Sequence, residues 1–115
     1  MDVDECVAHL KRFLEEGHIP GLTPSDELLA RFREKCTEEF NKLRKMGPER
    51  YLSTLPRVEG SRRKKPKGPM GILPCVFTFF LLCRELEEKR LLKMPAAGAY
   101  ELFDEWLREQ LGSER

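Results

Sequence analysis

Residues Ile72 to Cys83 read ILPCVFTFFLLC, a stretch in which ten of twelve residues are apolar and none is charged. A helix of this composition has no solvent face, so it is stable only where neighbouring elements cover it on nearly every side. The rest of the chain is therefore expected to pack around it. Twelve helical residues cover about 18 Å against a hydrocarbon core of roughly 30 Å. Six charged residues, Arg84, Glu85, Glu87, Glu88, Lys89 and Arg90, follow almost at once. A membrane span is excluded on that ground, and no membrane partner is expected.

Upstream, Val3, Val7, Leu10 and Leu14 recur at spacings of four, three and four, with Phe13 beside them. That stripe predicts a first helix capped by Asp2 or Asp4 and ended by Gly17. Thr23-Pro24-Ser25-Asp26 signals a second start, in which Thr23 caps and Pro24 takes the first helical position. Leu28 or Leu29, Phe32, Cys36, Phe40, Leu43 and Met46 form its apolar stripe, and Glu38, Glu39 and Lys42 belong to a mixed, solvated charged face. Gly47-Pro48 stops it. A short third helix follows over Pro48 to Leu55, turning Tyr51, Leu52 and Leu55 inward, and Pro56 ends it.

Beyond the central helix, Lys93-Met94-Pro95 breaks the chain. The last helix runs from Ala96 to Gly112, with Ala99, Leu102, Phe103, Trp106, Leu107 and Leu111 on one side. Glu101, Asp104, Glu105 and Glu109 make its outer face acidic. The expected architecture is all-α: a single small helical bundle of about five helices around a buried central helix. At 115 residues, one domain over 1–115 is expected.

Arg57 to Gly71 differs in kind from everything around it. Counting Pro56, the stretch PRVEGSRRKKPKGPMG holds three prolines, three glycines and six basic residues against one acid. Breakers at that density, without an apolar period, predict an exposed loop. Net charge over the chain is only +1, so any attraction to polyanions must come from this local cluster. Arg57, Arg62, Arg63, Lys64, Lys65 and Lys67 are the expected nucleic-acid-binding residues, contacting phosphates without reading bases, since no aromatic side chain is at hand to stack. Lys64-Lys65-Pro66-Lys67 also matches a short nuclear-import signal.

Leu91, Leu92, Met94, Tyr100, Phe103 and Trp106 exceed what one helical stripe needs, and are the expected interface for a protein partner or a homodimer. Phosphate loops, zinc-protease helices and nucleophile elbows are absent from the sequence. Cys6 and His9 stand one helical turn apart, but no further ligand pair accompanies them. Neither a metal, nor a cofactor, nor a small-molecule substrate is expected. The four cysteines, Cys6, Cys36, Cys75 and Cys83, form no Cys-x-x-Cys pair and read as reduced core residues of an intracellular protein, with the nucleus its compartment if the basic stretch is an import signal. The sequence thus predicts a non-catalytic helical interaction subunit that associates with proteins and binds nucleic acid or another polyanion. The alternative is a pure protein adaptor whose basic loop is an import signal or a solvated linker.

Overall fold

The apolar run forms the core of a helix with nearly no exposed surface. In the computed structural model, which describes residues 1–55 and 72–112, every residue from Ile72 to Cys83 is buried except the half-buried Leu81. Five helices are present among the described residues: α1 (Val3–Glu15), α2 (Asp26–Met46), α3 (Pro48–Thr54), α4 (Leu73–Glu88) and α5 (Ala96–Gly112). The fold is an all-α bundle with α4 at its centre. α5 and α2 pack directly on α4, α1 lies against α2 and α5, and α3 rests on the end of α2.

Each helix enters with local chemistry that its sequence supplies. Asp2 caps α1, its Oδ1 accepting the Glu5 amide at 2.9 Å. Ser25, not Thr23, caps α2; its Oγ accepts the Leu28 amide at 3.2 Å while its backbone stays extended. Pro24 therefore precedes the helix instead of opening it. The correction is two residues, and its cause is that a hydroxyl placed three residues before Leu28 reaches an orphan amide of the first turn. Gly17 and Gly47 follow α1 and α2 with φ of 78° and 84°, a region that disfavours any side chain with a Cβ.

The exit from α4 uses a different residue for the same geometry. Arg90 has φ of 60°, its amide bonds to the Glu87 carbonyl at 3.0 Å, and the Leu91 amide reaches back to Leu86 at 2.8 Å. This paired closure is the Schellman arrangement, with Arg90 where glycine is favoured. The helix consequently ends at Glu88, short of Leu91 and Leu92.

Aromatic side chains join three helices into one core. Phe13 of α1 meets Phe79 of α4 at 6.0 Å and Phe103 of α5 at 5.0 Å, and Phe79 meets Phe103 at 4.9 Å between ring centres. Tyr100 fills the next turn of α5 against Phe77 and Phe80. On α2, Phe32 and Cys36 are fully buried, but Phe40 and Leu43 are only half-covered and Met46 is exposed, so its C-terminal turns leave the core. Leu52 of α3 is exposed as well, whereas Tyr51 is fully buried. On α5, Leu102 stands outside and Tyr100 inside: the buried series Ala96, Ala99, Tyr100, Phe103, Trp106 and Leu107 follows the three-and-four spacing that Leu102 does not.

Two outcomes follow for stability. Phe79→Ala, which empties the junction of three helices, is expected to cost about 3–5 kcal/mol in urea denaturation. Arg90→Gly, which relieves a left-handed conformation while keeping both closing hydrogen bonds, should raise the unfolding midpoint by the equivalent of about 0.5–1 kcal/mol; a fall would show that the Arg90 side chain makes a compensating contact.

Candidate functional site

The proposed partner interface divides into two groups. Tyr100, Phe103 and Trp106 are buried within this chain, at 5%, 0% and 7% exposure, and so offer no surface to a partner. They are corrected to core residues, because α1 and α4 together supply enough apolar surface to cover them. Leu92 and Met94 are half-buried against the core. Leu91 is 61% exposed and remains a surface group. The basic residues Arg57, Arg62, Arg63, Lys64, Lys65 and Lys67 lie outside the described residues; the chain leaves the described body at the half-buried Leu55 and rejoins it at the buried Ile72.

Trp106 is held at the seam between α5 and the end of α1. Its indole N–H donates to Glu16 Oε1 at 3.1 Å, and the same oxygen accepts from His18 Nε2 at 2.9 Å. The His18 ring in turn stacks on Phe13, 4.8 Å away, and His9 approaches Trp106 edge-on at 6.1 Å. The two donors, His18 first and Trp106 after it, hold the Glu16 carboxyl below its ordinary value.

Two carboxylates expected on solvated faces are in fact buried. Glu39 of α2 is 7% exposed, accepting from the Tyr51 hydroxyl at 3.1 Å and from Lys42 Nζ at 3.0 Å. Burial and the charge on Glu39 together push the Tyr51 phenol well above its usual value. Asp104 of α5 is 1% exposed and accepts from Arg108 Nε at 3.0 Å. Each lies at the flank of its helix, where neighbouring donors make burial tolerable.

Three cysteines that lie far apart in sequence meet in the core. Cys6 of α1 faces Cys36 of α2 and Cys75 of α4, and Cys36 also faces Thr78. Hydrogen bonding to Cys6 and then burial push the Cys36 thiol up strongly. For Cys6, the bond with Cys36 acts downward, but the bond with Cys75 and burial outweigh it. Burial, with Glu87 nearby, pushes Cys83 up to about 12. All four cysteines are free and buried. The raised thiols of Cys6, Cys36 and Cys83 stay protonated. Among the described residues, no group of three or more Cys, His, Asp or Glu is disposed to hold a metal ion, and no helix is long and apolar enough to cross a membrane.

The described surface has a concavity with an apolar floor. A groove of about 410 Å³ lies between the start of α2 and the end of α4. Leu22, Leu28, Leu82, Leu86 and Leu91 line it, with Glu27, Arg31, Glu85 and Lys89 at its polar edges. Arg31 donates twice to Glu85 Oε2, at 3.0 and 2.7 Å, while Lys35 Nζ stands 2.9 Å from Oε1. One carboxylate thereby ties α2 to α4 through two cations. Sequence periodicity alone does not reveal this groove, since its walls come from residues more than fifty positions apart.

Comparison with protein-family models, with curated proteins and with solved structures finds no match to this chain.

Lys35 and then Arg31 hold the Glu85 carboxyl below its ordinary value. A carboxylate depressed in the folded state contributes stability above its unfolded pKa, and that contribution is lost as pH falls through the folded pKa. Glu85→Gln is therefore expected to lower stability by about 1 kcal/mol at neutral pH, and the gap should narrow in acid as the folded Glu85 carboxyl takes up its proton. Paired urea titrations at neutral and at acid pH measure it; a gap that persists in acid would assign the loss to packing.

Proposed function

We propose that this chain is a non-catalytic helical interaction subunit that associates with other proteins and binds nucleic acid or another polyanion through the Arg57 to Gly71 stretch. The observation that carries the reading is the charge pattern: five positive residues fall within six positions, Arg62 to Lys67, in a chain whose net charge is +1. Point charges at that density neutralise several phosphates and release their counterions. The described neighbours of the stretch support a stable mounting, since Ile72 and Tyr51 are both buried. Arg57, Arg62, Arg63, Lys64, Lys65 and Lys67 would supply the charges, and the absence of aromatic residues between Pro56 and Gly71 favours backbone contact over base readout.

The non-catalytic part of the reading is supported by the use of the buried titratable groups. Glu39 is engaged by Tyr51 and Lys42, Asp104 by Arg108, and the thiols of Cys6, Cys36 and Cys83 are held protonated. These arrangements stabilise the bundle and leave none of those groups poised as a base or nucleophile.

Fluorescence anisotropy of labelled single- and double-stranded DNA and RNA, titrated across a salt series, tests the polyanion reading. Affinity should fall with a log–log salt slope of roughly −3 to −5, and changing Arg62, Arg63, Lys64, Lys65 and Lys67 to Ser should abolish it. No binding at low salt would overturn the reading in favour of a protein adaptor whose basic stretch is an import signal or linker.

A further inference from the structure

We propose that the polyanion taken by the Arg57 to Gly71 stretch is a nucleic-acid duplex, held by its phosphates and preferred over single strands. The inference rests on the polyanion half of the function proposed above and names its ligand. It is carried by where the chain keeps its aromatic side chains. All ten, seven Phe, two Tyr and one Trp, lie on the five described helices. Nine are buried, and the tenth, Phe40, is half-buried against the core. The exposed His18 ring is stacked on Phe13 and bonded to Glu16, a carboxylate that repels a phosphate backbone.

Proteins hold single strands by a cationic groove that tracks the backbone together with aromatic platforms on which successive bases stack. This chain supplies neither. Its rings are committed to the core, and outside positions 57–71 fifteen basic residues stand against nineteen acidic ones, a net charge of −4 that opposes any extension of the contact over the body. Within 57–71 six basic residues stand against one acid, a net of +5. Attraction is therefore confined to a short segment, and the ligand that brings the most charge to it binds best. Arg62 to Lys67 covers five residue steps, at most about 18 Å of chain. A duplex carries one phosphate per about 1.7 Å of its axis, so about ten lie within that length, against about five on one strand of the same rise. The five cations thus sit in the field of about twice as many phosphates on a duplex as on a single strand. No base edge enters this count, so sequence is not read.

The test is competition for a labelled mixed-sequence duplex of about 20 base pairs bound to the full chain, read by anisotropy at low salt. Unlabelled duplex is expected to displace it at an at least about fivefold lower phosphate concentration than unstructured oligothymidine or oligouridine. Duplexes of unrelated sequence should compete equally. Ser61→Trp, which adds one aromatic ring next to Arg62 in sequence, should raise oligothymidine affinity about fivefold and leave duplex affinity unchanged. Single strands that compete as well as the duplex, phosphate for phosphate, or that gain nothing from Ser61→Trp, overturn the duplex assignment and leave the polyanion reading standing. Heparin that outcompetes the duplex at equal charge overturns the assignment to nucleic acid. Binding to no polyanion at all removes the polyanion reading itself, and this inference falls with it.

Discussion

A helix with no polar face must be covered, and that requirement places every other element of the bundle. Phe79 shows how: it touches Phe13 and Phe103, so α1 and α5 are held to α4 and to each other by one ring. Cys75, facing Cys6, and Thr78, facing Cys36, add side-chain contacts from α4 to α1 and α2. Burial of a large apolar side chain contributes about 1.5–3 kcal/mol, so most of the stabilisation is concentrated along this helix.

Coverage ends where the composition of α4 changes. At Arg84 and Glu85 the helix acquires polar groups, and there the neighbours withdraw. Arg84 lies over the Phe80 ring at 5.7 Å, while Glu85 gathers Arg31 and Lys35. The groove opens past this boundary, its floor still apolar because Leu82 and Leu86 continue the buried side. A concave surface here is a consequence of a core helix running one to two turns beyond the elements that cover it.

The fold class and the central role of Ile72 to Cys83 were legible in the sequence, since twelve residues without charge admit few environments. The caps were legible to within two residues: of Asp2 and Asp4 it is Asp2 that caps α1, and Ser25 displaces Thr23. Less visible were groups at the flanks of the apolar stripes. Glu39 and Asp104 sit among other charged residues in sequence, and their burial goes with hydrogen bonds from Tyr51 of α3 and Lys42 to Glu39, and from Arg108 one turn on to Asp104. Leu102 and Tyr100 exchange places because both fit an amphipathic pattern and the rotation of α5 is set by Phe77 and Phe80. Spacing gives the period of a helix, while its phase is fixed by contacts made elsewhere in the chain. The thiol trio and the groove depend on three-dimensional proximity and have no sequence signal at all.

Trp106 is the sole tryptophan of the chain, and its surroundings make it an optical reporter with a defined field of view. The indole is bonded to Glu16 and flanked by His9, His18, Phe13 and Phe103, none of which lines the groove. Its emission therefore registers the seam between α1 and α5. Loosening of that seam brings water to the ring and shifts the spectrum to longer wavelength, whereas an event confined to the opposite junction of α2 and α4 leaves the signal still. The protein carries, without any label, a built-in means of telling an opening of its core from an encounter at its surface.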